Sequence, residues 1–157
     1  MSFLVQWFYQ LALAVWVGSI VFYSFFTTPA VFQKLPREMA SELLATLFPR
    51  YYSLGYVAGG ILLFCTLVEA IMVRQIPWVR LVIVMLMLGS AVYAGAIVRP
   101  QVHDVKIQMK TVEEGSELGK TLKARFDSMH RLSVFLNVVV LVGGLILLGI
   151  VAFRLRL

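Results

Sequence analysis

Apolar residues run almost unbroken through four stretches, residues 3–26, 51–73, 81–98 and 132–153, and Glu69 is the one charge inside them. Each stretch is about 20 residues, the length an α-helix needs to cross the ~30 Å hydrocarbon layer. Lipid offers no partner to an unpaired backbone group, so each stretch reads as a transmembrane helix. The pattern predicts an all-α integral membrane four-helix bundle, with residues 1–157 forming a single transmembrane domain. The first run exceeds the core of a signal peptide and lacks a basic start, so it is expected to stay as a helix.

The connections carry their own periodicity. In residues 37–48, Met39, Leu43, Leu44 and Leu47 fall at spacings of three and four, which predicts a short amphipathic helix on the interface or the bundle. Pro49 then suits the first turn of the second span. Residues 75–78 form a tight turn that makes spans two and three antiparallel neighbours. Residues 99–131 hold two apolar stripes, Val102, Val105, Met109, Val112 and Leu118, Leu122, Phe126, Met129, interrupted by Glu113 to Glu117. That predicts a protruding helical hairpin, with Ser116 as N-cap of its second arm and a kink at Pro100. No internal repeat is expected among the four spans. Gly55-x-x-x-Gly59 and Ala91-x-x-x-Gly95 allow close helix approach in lipid.

Hydrophobic residues make up 61% of the chain, and the net charge is +6. In a membrane protein such charge meets headgroups and sets orientation, so nucleic acid is not an expected partner. The expected partners are the bilayer and either a second copy or another membrane protein. The chain's N-terminus, the 74–80 turn and the C-terminal tail share one face, side A, with four Lys/Arg; the other two connections, on side B, carry ten. The count points side B to the cytoplasm, whereas charge per residue is at least as high on side A. A bacterial inner (cytoplasmic) membrane is the expected location. Cys65 stands alone in mid-span and reads as a small apolar residue.

Candidate chemistry is sparse. Phe126, His130, Ser133 and Asn137 share one face at the start of the last span, and a polar stripe entering lipid must face protein or water. His103 lies on the opposite hairpin arm. Antiparallel pairing would put the two imidazoles about 5–6 Å apart along the axis. Together with Met109 and Met129 they could ligate a soft metal such as copper. Structural hydrogen bonding explains the same stripe. Tyr23, Arg50, Tyr51, Tyr93 and Arg99 would complete a pocket at that level. Glu69, level with Gln6 and Gln10, is a functional candidate as an intramembrane acid, and an ion pair with Arg74 or Arg80 explains it equally well. No nucleophile and base are paired, so no catalytic residue is assigned and a non-enzymatic protein is expected.

Taken in order, Trp16-Val17-Gly18, Pro29-Ala30-Val31-Phe32, Leu35-Pro36-Arg37, Leu47-Phe48-Pro49-Arg50-Tyr51-Tyr52, Arg99-Pro100 and Phe126-x-x-x-His130-Arg131-Leu132-Ser133-x-x-x-Asn137 resemble a small four-span family. It includes the human transmembrane protein linked to cisplatin resistance. That family in turn resembles the copper-resistance-D-like proteins and HemJ-type protoporphyrinogen oxidases, which share a four-helix core. The resemblance implies a copper-like metal or haem-like ligand near side B, with His103 and His130 as ligands. This chain has no histidine in its first span, where HemJ-type enzymes have one. The alternative is a structural or partner-binding membrane protein whose polar stripe only locks the helices.

Overall fold

The computed structural model describes residues 3–113 and 115–154. Four helical rods run up and down: α1 (Phe3–Val21), a π-helical turn (Phe22–Thr27) and α2 (Thr28–Lys34); α3 (Arg37–Val73); α4 (Trp78–Val92), a second π-helical turn (Tyr93–Val98) and α5 (Arg99–Lys110); and α6 (Glu117–Arg154). All four are long and apolar enough to cross a membrane. α3, with 37 residues, is about 55 Å long against a hydrocarbon layer of ~30 Å, so the rods outreach the bilayer.

Local chemistry sets the breaks. Leu35 precedes Pro36 and is extended (φ −117°, ψ 147°), as a residue before proline prefers, and this ends α2. Arg74 closes α3 in the left-handed region, at φ 54°. Ser116 caps α6 as expected, its Oγ accepting from the Gly119 N–H at 3.0 Å. The protruding hairpin is present, α5 lying on the first part of α6. The amphipathic stretch 37–48 is not a separate interfacial helix. It is the first third of α3, continuous through Pro49, and it packs through Ala40 and Leu44. Lys106 Nζ donates to Ser41 Oγ at 2.6 Å, tying α5 to this extension.

The two ascending rods follow one pattern. Trp7, Gly18, Ser19, Val21, Pro29 and Val31 recur 71 residues on as Trp78, Gly89, Ser90, Val92, Pro100 and Val102, and the π-helical turns stand at the same offset. Buried, half-buried and exposed character agrees at most of the paired positions. The packing repeats too. A Cβ on Gly59 would lie 2.9 Å from the Trp16 ring and 2.7 Å from Leu88; Gly144 is pressed by Val17 and, at 3.5 Å, by Met87. Trp16 pairs with Met87 and Val17 with Leu88 under the same offset, so exchanging α1 with α4 maps one glycine contact onto the other. The bundle thus has a pseudo-two-fold axis along its length, the arrangement of parallel repeats in a membrane. This corrects the expectation of no repeat; the identities are few, and the duplication lives mainly in burial and backbone breaks.

The core follows. Leu13, Leu62, Val84, Met87 and Leu147 have no exposed surface. Between helices in lipid no hydrophobic force acts, and close packing at small residues supplies the attraction. The contrast between neighbouring glycines tests this. Gly59→Ala should lower the unfolding free energy by about 1–3 kcal/mol, as overpacking does. Gly60→Ala, with nothing within 4 Å of its Cβ, should not be destabilising; denaturation in detergent reads both.

Candidate functional site

At the side-B end the polar stripe is closed on itself. Tyr51 donates its hydroxyl hydrogen bond to Asn137 Oδ1 at 2.6 Å, joining α3 to α6. Tyr23 stacks on Tyr51 at 4.9 Å, Phe48 lies against Tyr23 at 5.4 Å, and Tyr52 meets Tyr51 edge-on at 5.3 Å. The rings fill the expected pocket down to a void of about 10 Å³, lined by Trp16, Tyr51, Tyr52, Ser90 and Asn137 among others. That is room for about one water. Ser133 and Arg99 are half-buried, and Arg50, Tyr93, His103 and His130 are exposed. His130 stacks on Phe126 at 6.3 Å. The structure therefore brings together Tyr23, Tyr51 and Asn137, and leaves the histidines at the surface. The residues that sequence reasoning missed are Phe48, Tyr52 and Tyr56; Tyr51 alone of the α3 rings had been placed in the pocket.

A larger space opens at the side-A end. A recess of about 430 Å³ is lined by Gln6 of α1, Glu69 and Val73 of α3, Gln75, Ile76 and Pro77 of the turn, and Arg80 of α4. Arg80 Nη1 donates to Glu69 Oε2, and both side chains are at least nine-tenths buried. The partner of Glu69 is thus Arg80; Arg74, the other candidate, is exposed. The Arg80 guanidinium carbon lies 5.4 Å from the centroid of the Tyr9 ring, in cation–π range. Tyr9 and Arg80 are partners under the 71-residue repeat, so they meet across the pseudo-two-fold axis. Arg80 Nε is buried and has no hydrogen-bond partner among the described residues. Tyr9 was missed because an aromatic in an apolar run carries no polar signal.

Among the described residues no group of three or more His, Cys, Asp and Glu side chains converges. With both imidazoles exposed, the donor set does not fit a buried copper or haem centre, and the geometry gives that reading no support.

The Tyr51–Asn137 bond should behave as a buried pair. Tyr51→Phe, which strands the Asn137 carbonyl, should cost about 1–3 kcal/mol. Asn137→Leu combined with Tyr51→Phe should recover much of that loss, as chemical denaturation of the purified protein would register.

A model of the family described as a domain of unknown function (DUF4149) matches residues 11–111, from mid-α1 to just beyond α5. An uncharacterized protein of Aquifex aeolicus (strain VF5) is 38% identical over 58 residues, 35% of this chain and 44% of that protein. The chain thus covers less than half the length of this relative. No solved structure matches the chain. These matches lend no support to the resemblance to the cisplatin-resistance-associated family or the copper-resistance-D-like group. The matched span takes in both π-helical turns, Glu69 and Arg80, and by it the chain belongs to the DUF4149 family.

Proposed function

We propose that this is a non-catalytic membrane protein that binds a small polar or charged solute in the side-A recess. The observation that carries the reading is the buried Glu69–Arg80 pair at the wall of that recess. A buried ion pair is no better for stability than well-packed apolar residues of the same volume. An ionisable pair at the membrane end of a bundle therefore points to a task other than folding. Arg80 offers guanidinium donors, Glu69 holds it in place, and the Gln6 and Gln75 amides add hydrogen-bonding capacity. The setting that goes with this reading is the inner membrane of a bacterium, in keeping with the bacterial relative.

A second reading is favoured by the Tyr51–Asn137 bond: a structural or partner-docking protein whose polar stripe only locks helices. Metal or haem ligation by His103 and His130 stands behind both, because each imidazole is exposed.

The full chain in lipid nanodiscs should be heated with inorganic phosphate, glutamate, phosphoethanolamine and spermidine in turn. A ligand that binds only the folded state raises the melting temperature. At least one of the four should do so for the native sequence and fail to do so for a Glu69→Leu, Arg80→Leu double variant. Equal shifts in both proteins, or no shift from any probe, would contradict the recess reading and favour the structural one.

A further inference from the structure

Both ascending rods break at the same level, in the same way. In each, the π-helical turn is followed by one residue and then proline: Thr28-Pro29 after the first and Arg99-Pro100 after the second. The residue before each proline makes the same long-range bond, Thr28 N–H to Tyr23 O and Arg99 N–H to Ala94 O, five residues back. Proline removes a backbone donor and collides with the carbonyl four residues before it, so a widened turn at that point relieves the clash. A helix interrupted in this way bends there more readily than elsewhere. In membrane proteins built from repeats, interrupted helices at matching positions of the two halves flank the region that moves or binds.

The residues that touch these turns come from one place. Tyr23, within the first, stacks on Tyr51 of α3 and donates its hydroxyl to the Leu44 carbonyl at 3.5 Å. Gly95, within the second, is covered by Tyr52 and Tyr56 of α3 so closely that a Cβ there would come 2.8 Å from the Tyr52 ring. Tyr51 is in turn bonded to Asn137 of α6. A single set of α3 tyrosines therefore holds both turns and the fourth rod. Beyond the turns the two arms differ. α5 is docked through buried Val105 and the Lys106–Ser41 bond, whereas α2 has no buried residue.

We infer that the two π–proline turns are matched hinges, and that Tyr51, through its ring stack on Tyr23 and its bond to Asn137, latches the side-B end of the bundle shut. Release swings the α2 arm away from the docked α5 arm. It opens the one-water void, with Ser90, Tyr51 and Asn137 in its lining, toward side B. The device is independent of the side-A recess and stands or falls separately from it.

Spin labels at Phe32→Cys and His103→Cys, exposed positions related by the repeat, report the distance between the arms by double electron–electron resonance. The full chain in nanodiscs is used with Cys65→Ser. With the latch intact the distance distribution is a single narrow population. Tyr51→Ala, which removes the ring stack and the bond together, should add a longer-distance population of about 10% or more, the scale of a minor conformer, and Asn137→Leu, which removes the bond alone, a smaller one. Adding Pro29→Ala to either variant, which returns the missing backbone donor, should shrink that population. An unchanged distribution in both latch variants overturns the proposal, and so does a second population that Pro29→Ala leaves intact.

Discussion

A polar group placed inside this bundle is costly unless it finds a partner within the protein, because the hydrocarbon supplies none. The two polar elements follow from that constraint. At one end Glu69 is neutralised by Arg80, which also lies against the Tyr9 ring. At the other end the Asn137 amide is capped by Tyr51, and the surrounding rings exclude all but about one water. Hydroxyls between these levels turn back on their own helices: Thr66 bonds the Leu62 carbonyl at 2.7 Å and Ser19 the Trp16 carbonyl at 2.7 Å. The middle of the bundle is left to apolar packing alone.

That middle is organised by the duplication. Gly59 and Gly144 let α1 and α4 approach α3 and α6 through repeat-related side chains, Trp16 and Leu88 at the first and Met87 and Val17 at the second. At the two ends of the bundle the repeats diverge in chemistry. Tyr9 faces Arg80 across the axis at side A, and Tyr23 stands where the second repeat has Ala94. The asymmetry places a recess at one end and an aromatic plug at the other, on a scaffold that is otherwise two-fold.

Much of the fold was legible in the hydrophobic pattern. Four spans, the protruding hairpin and the Ser116 cap follow from run length, periodicity and a capping residue. Glu69 stood out as the only intramembrane charge, and its partner was narrowed to Arg74 or Arg80; the choice needed three-dimensional reach across the turn. The continuity of α3 was hidden because Pro49 reads as a helix start, although a lost donor near the membrane boundary is tolerated within a long helix. The outward placement of His103, His130 and Tyr93 was hidden for a different reason. Helical spacing says which residues share a face, and at rod ends it does not say whether that face meets the bundle. The repeat escaped because few residues are identical, while the burial pattern that carries it is visible only in the folded chain.

The central claim is that Glu69 and Arg80 form one buried unit at the side-A recess. A double-mutant cycle with Glu69→Gln and Arg80→Met, followed by denaturation of the purified protein, measures their coupling directly. Removing one member of a buried pair strands the other, so each single variant should lose about 3–5 kcal/mol and the double variant far less than the sum. A coupling of ~2 kcal/mol or more is the predicted result. Additive losses within about 0.5 kcal/mol would mean that the two side chains do not act together, and would contradict the account.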